Sequence, residues 1–232
     1  MLNVKLSETY PRSTLIARRV TAALTGRVYY FNGQRRRAAV FRTLVRELPF
    51  QKFVETGTFL GRTTDFLAHT ARAHQAQVYS CEIDDRHYAI ARRAVGNRRN
   101  VHLHHGNSVD YLRSLSGELS QAVNFVYLDA HWHDYLPLRD ELSILKGWKN
   151  TVVMIDDFKV PSDDRFGWDK YDDEREICLE HVDDILGDNA VYFPGYPATD
   201  EGAMARGYCM IAMSRPMQDV LDRIPALKRH EA

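Results

Sequence analysis

Apolar positions along this chain follow two alternating spacings. Leu15, Ile16, Val20, Ala23, Leu24 and Val28 recur at helical spacing, and Val40, Phe41, Leu44, Val45 and Leu48 mark one face of a second helix that stops before Pro49. Beyond Pro49, short apolar runs alternate with helical stripes. Lys52–Thr56 reads as a buried strand, Arg62–His74 as a helix, Val78–Glu82 as a strand, Asp85–Val95 as a helix and Val101–His104 as a strand. A helix follows near Val109–Leu115, and Val123–Asp129 is a strong fourth strand. The next helix carries Pro137 in its first turn and Gly147 at its end, and Thr151–Asp156 is the fifth strand. Ile177, Cys178, Val182, Ile185 and Leu186 predict a late helix closed by Gly187. Ala190–Pro194 and Gly207–Ser214 predict two final strands with no helical pattern between them.

Strands that alternate with helices in this way demand a parallel sheet with helices on both faces. Such sheets bind ligands outside the carboxyl ends of their strands. Here those ends carry Glu55, Glu82, His104 and His105, Asp129, and Asp156 with Asp157. Acids at four of five strand ends cost desolvation energy unless something pairs with them. The long loops are Phe158–Asp173 and Gly195–Arg206; the first mixes Phe166, Trp168 and Tyr171 with acids, as a lid over a site would.

Composition adds an asymmetry. The chain has 232 residues, with 31 Lys+Arg against 31 Asp+Glu, so it lacks the basic excess of a nucleic-acid binder. The balance is a cancellation: residues 1–50 hold ten Lys/Arg and only two acids, whereas residues 129–188 hold seventeen Asp/Glu against seven Lys/Arg. The basic segment reads as an N-terminal helix with solvated arginines, with a helix that pairs subunits or caps a substrate site as the second reading. A membrane-surface helix or a transit peptide is the third. Arg35, Arg36 and Arg37 read as the solvated start of the next helix. Cys81, Cys178 and Cys209 form neither a disulfide framework nor a CxxC zinc pair, which fits a reduced, cytoplasmic setting. No apolar run approaches the length of a membrane span, and Met1–Tyr10 lacks the pattern of a secretory leader.

The first strand runs into ETGTFLGRT, residues 55–63. Gly57 and Gly61 let backbone pass close to a ligand, and the helix that follows offers free N–H groups. Glu82 ends the next strand, where a carboxylate can accept both hydroxyls of a ribose. Glu55 would repel a phosphate but suits a cationic amino group. The ligand so described is a nucleoside joined to an amino acid. ETGTFLGRT, SCEID and HHGNSVDYL together resemble the motifs of class I S-adenosylmethionine-dependent methyltransferases, over residues 50–214. The resemblance implies a Rossmann-like, doubly wound α/β fold. Its seven-stranded sheet would be mostly parallel with a reversed last strand. It also implies a cofactor site of Glu55, Gly57, Thr58, Gly61 and Thr63, with Glu82 and Ile83 at the ribose, Asn107 and Ser108 by the adenine, and Asp129.

The fourth strand ends in DAHWHDYLP and the fifth in IDDF. Strands four and five are expected to be neighbours, so Asp129, Asp156 and Asp157 can converge, and converging carboxylates call for a cation. All-oxygen ligands favour Mg²⁺. The pair of motifs resembles the metal-dependent O-methyltransferases of the catechol type and of the macrolide and sugar type. The resemblance places the metal at Asp129, Asp156 and Asp157. It leaves the base open between His131 and His133, either of which titrates near neutrality.

The expectation is an N-terminal helical arm or cap over 1–48 and a methyltransferase domain over 49–232. The reaction is Mg²⁺-dependent O-methylation of a small-molecule hydroxyl such as a sugar or phenol. No nucleic-acid partner and no membrane span are expected, and the N-terminal helices offer a homodimer contact. The alternatives are a metal-independent N- or O-methyltransferase, a nucleotide-binding oxidoreductase, or an inactive scaffold of the same fold.

Overall fold

The structure, a computed structural model, describes Val20 and residues 29–131, 134–201 and 205–231. The helix predicted over 15–28 lies outside these residues, Val20 apart. Eight strands form one sheet: β1 (Lys52–Thr56), β2 (Gln77–Glu82), β3 (Val101–His105), β4 (Asn124–Leu128), β5 (Thr151–Asp156), β6 (Ala190–Pro194), β7 (Tyr208–Ala212) and β8 (Leu227–Arg229). Their spatial order is β3-β2-β1-β4-β5-β7-β6-β8. The neighbours among β1–β5 pair in parallel, whereas β7 runs antiparallel to both β5 and β6.

The sequence predicts seven strands with one reversed; the structure has eight, because β8 adds antiparallel to β6. Its three residues, Leu227, Lys228 and Arg229, are too few to display an alternation. A helix over Arg215–Leu221 precedes it, with Pro216 in its first turn, and the sequence reading leaves that helix out. The late helix predicted from Ile177 is also shorter. It is a 3₁₀ turn at Leu179–His181 and one helical turn at Asp183–Leu186. Ile177 pairs through its backbone with Lys159 and Asp169, and Cys178 is extended, so the helix cannot begin where the apolar spacing begins.

The sheet divides two apolar layers. Phe53, Phe125, Val152 and Met210 face one layer and Val54, Val126, Val153 and Ile211 the other, the period-2 alternation of a strand. Both faces are covered, which is why the central strands are apolar throughout. The first layer packs on the helices Arg35–Glu47 and Arg62–Ala73, and the second on Ser108–Leu119 and Leu138–Leu145. Arg35 and Arg36 are exposed as expected, but Arg37 is fully buried beneath the carboxyl end of β5 and the amino end of β7.

Candidate active site

Where the strand order turns from β1 to β4, the chain leaves a crevice at the carboxyl ends. Gly57 has φ +81, and a Cβ there would lie 2.0 Å from the Asp129 carbonyl oxygen. Glycine is therefore required for β1 and β4 to deliver their loops side by side. The resulting cavity of about 360 Å³ is lined by Gly57, Glu82, Ile83, Ser108 and Asp129 from the sequence-derived cofactor set.

Glu82 is buried, and its two oxygens accept the Phe59 N–H (2.7 Å) and the Asp84 N–H (2.9 Å). Phe59 and Ile83, large apolar side chains at 40% and 54% exposure, flank it on the cavity wall. Apolar surface left open beside a fixed carboxylate suits a ligand with a flat ring and a diol. Other members of the set lie behind the wall. Glu55 is buried and accepts from the Thr64 and Ser80 hydroxyls, and burial pushes its carboxyl up to about 7. The Thr58 hydroxyl bonds that of Ser80 (2.6 Å), and the Thr63 hydroxyl accepts the Phe31 N–H (3.3 Å). Gly61 takes the left-handed turn before the helix Arg62–Ala73. Asn107 caps the helix Ser108–Leu119, accepting the Val109 and Asp110 N–H groups, and donates to the Tyr135 hydroxyl.

The opposite end is acidic. His131 is buried, and its Nε2 lies 3.8 Å from Asp129, 3.8 Å from Asp157 and 4.0 Å from Asp169. These are too long for hydrogen bonds, so Nε2 has no partner among the described residues. Ligand atoms of Asp129, His131 and Asp157 fall within 4.8 Å of one another. The two carboxylates are donors that fit a divalent cation, with the buried His131 nitrogen beside them. Burial would lower the His131 pKa, but Asp157, Asp156 and Asp169 outweigh it and raise it. Burial and the neighbouring Asp156 and Asp157 push Asp129 well up. Burial opposes ionisation of Asp157, but His131 and Arg206 prevail and hold it below the usual carboxylate range.

Asp156 does not join this group. Its carboxylate is fully buried and accepts from Arg37, the Tyr127 hydroxyl, the Asn32 amide (2.9 Å) and the Asp157 N–H (2.8 Å). His133 lies outside the described residues. Asn32, which the sequence reading does not single out, lines the cavity with Asp169 of the first long loop and Arg206 at the end of the second. Arg206 bridges Asp157 (2.5 Å) and Asp169. Asp169 comes from the loop singled out for its length. Its neighbour Trp168 sits between Lys159 and Lys170, whose ammonium groups lie 5.2 and 4.4 Å from the ring. Phe166, in the same loop, is buried in the core rather than in the cavity. Nothing in the local sequence marks Asn32.

Residues 54–158 match a family model described as a methyltransferase domain. That segment, somewhat under half of the chain, is similar to a methyltransferase domain. Solved structures agree in fold. An O-methyltransferase from Bacillus cereus, in complex with S-adenosylhomocysteine, is 16% identical (TM-score 0.53; 90% of this chain, 92% of that one). TomG of Streptomyces achromogenes, an O-methyltransferase of tomaymycin synthesis in complex with S-adenosylmethionine, is 15% identical (TM-score 0.54; 90% and 91%). A protein from Klebsiella pneumoniae is 19% identical (TM-score 0.55; 86% and 88%). Among curated proteins none matches. The methyltransferase match runs from within β1 to just past β5 and includes the acids at the strand ends. It stops short of Asp169 and Arg206 and begins after Asn32 and Arg37. No helix among the described residues is long and apolar enough to cross a membrane.

Proposed function

We propose that this protein transfers the methyl group of S-adenosylmethionine to a hydroxyl oxygen of a small molecule, with a divalent cation at its acidic end. The observation that carries this reading is the continuity of one cavity, from Glu82 and Ile83 at one end to Asp129, His131 and Asp157 at the other. Glu82 would hold the ribose hydroxyls of the cofactor, with Phe59 and Ile83 as the apolar surface for its base. Asp129 and Asp157 would hold the cation, which would lower the pKa of a bound hydroxyl. His131 Nε2, buried and without a partner among the described residues, would accept the hydroxyl proton. Bound S-adenosylmethionine would supply the methyl group, the oxygen–carbon bond forming as the sulfur–carbon bond breaks and the electron pair returning to sulfur. The buried wall around Glu55 keeps water from the reacting sulfonium.

The relatives that carry the word O-methyltransferase support the choice of oxygen as acceptor. The polar character of Asn32, Asp157, Asp169 and Arg206 on the substrate side favours a polyhydroxylated acceptor over an apolar one. Calorimetry with S-adenosylhomocysteine tests the cofactor, and an absence of binding would remove the basis of the whole reading. A panel of sugars and phenols, assayed with and without a chelator, tests the rest. Turnover is expected to cease on chelation and to return with Mg²⁺.

A further inference from the structure

Asp156 stands at the end of β5 where the resemblance places a cation ligand, but both its oxygens are taken. Oδ1 accepts from Arg37 and from the Asp157 N–H, and Oδ2 from the Tyr127 hydroxyl and the Asn32 amide. A carboxylate oxygen offers about two lone-pair sites, so neither has one left for an ion. Arg37 reaches the other side of the site as well. Its Nη2 donates to the carbonyls of Arg206 (2.7 Å) and Gly207 (3.1 Å), and its guanidinium lies 4.9 Å from the Tyr208 ring. One buried side chain thus holds two backbones. Through Asp156 it holds the Asp157 amide, and through the carbonyls it holds Arg206. Asp157 and Arg206 are the ion pair that faces His131. Asp157 has φ +50, a conformation that a non-glycine residue keeps only where its surroundings impose it.

We propose that Arg37 is a positioning residue for the acidic site. It withdraws Asp156 from cation binding and sets the backbone from which Asp157 and Arg206 face the cavity, so that Asp129 and Asp157 are the carboxylates that take the ion. The part about the ion rests on the cation reading above; the part about the backbone does not.

Two measurements on the whole protein test it. With S-adenosylhomocysteine present, Mn²⁺ is titrated and followed by its paramagnetic resonance signal. Asp157→Asn is expected to lose ion affinity by ~30-fold or more and Asp156→Asn by less than ~3-fold, since asparagine still accepts from Arg37 and the Asp157 amide. Equal losses in the two variants would overturn the assignment. Hydrogen exchange at the Asp157 amide supplies a readout free of any ion. Arg37→Met is expected to speed it by ~10-fold or more while β1 and β4 amides stay protected, and Arg37→Lys to recover part of the protection. Unchanged exchange at Asp157 in a folded Arg37→Met protein would reduce Arg37 to a packing residue. If Arg37→Met does not fold, Arg37→Lys decides alone: it keeps a charge opposite Asp156 but loses the carbonyl bonds, so Asp157 exchange as slow as in the wild type sinks the proposal. A wild-type protein that takes up no Mn²⁺ removes the cation reading, and the exchange result still decides the positioning role.

Discussion

The two ends of the cavity hold their acids by different means. At the cofactor end, Glu55 and Glu82 are settled by neutral donors: two hydroxyls for the first and two backbone N–H groups for the second. At the other end, Asp156, Asp157 and Asp169 are settled by the guanidinium groups of Arg37 and Arg206. Neutral donors leave a carboxylate's charge in place for a ligand, or let it take a proton. Guanidinium groups cancel the charge and fix geometry, at the cost of burying two ions. The cofactor end is therefore prepared for a positive or hydroxylated ligand. The acidic end is prepared to hold shape, with Asp129 as the carboxylate that no arginine pairs among the described residues.

Four variants probe that contrast, and the largest effect belongs to the buried pair. Asp156→Ala leaves Arg37 buried without its partner and is expected to cost ~3–5 kcal/mol of stability, read by thermal or denaturant unfolding. A loss under ~1 kcal/mol would mean that the two ends do not differ in this respect. Next comes Glu55. Its carboxyl titrates near 7 in the fold against an ordinary value of 4.5. A group raised in this way stabilises fully below about pH 4.5, and that contribution is lost as pH climbs to about 7, by roughly 3 kcal/mol in all. Glu55→Gln keeps an acceptor for Thr64 and Ser80 and should abolish that decline; an unchanged slope of stability against pH would show that the Glu55 carboxyl is not its source. Glu82→Ala should weaken S-adenosylhomocysteine binding about 10- to 100-fold by calorimetry, the worth of hydrogen bonds to a charged group. The smallest effect is at Ile83, which is more than half exposed. Ile83→Ser should change stability by less than ~0.5 kcal/mol but lower cofactor affinity several-fold. A large loss of stability there would make Ile83 part of the core rather than of the ligand surface.

The same contrast explains what the sequence reveals. Strands β1 to β5 are legible because each is an apolar run between helical stripes, and the acids at their ends follow from that placement. At the cofactor end the donors are nearer in the chain: Asp84 and Phe59 lie two and 23 residues from Glu82, and Thr64 and Ser80 nine and 25 from Glu55. The acidic end depends on distant partners. Arg37 is 119 residues from Asp156 and Arg206 is 49 from Asp157, and neither separation leaves a periodic trace. In the run Arg35–Arg36–Arg37 nothing but the helix phase distinguishes the buried member from its exposed neighbours. The expectation that three aspartates would meet was built on acids alone. Asp156 departs from it because an arginine reaches that carboxylate first. Strand β8 and the short late helix escape for a different reason: three residues carry no periodicity, and backbone pairing overrides the apolar spacing at Ile177.

Trp168 lies between two ammonium groups on the loop that delivers Asp169 to the cavity wall. An indole so placed is an intrinsic optical reporter, since its emission responds to the distance and number of the charges against its ring. The second described tryptophan, Trp148, is buried and donates to Ser116. With Trp132→Phe and Trp148→Phe in place, the remaining fluorescence would read loop movement at the acidic end while ligands bind at the other, without any label attached.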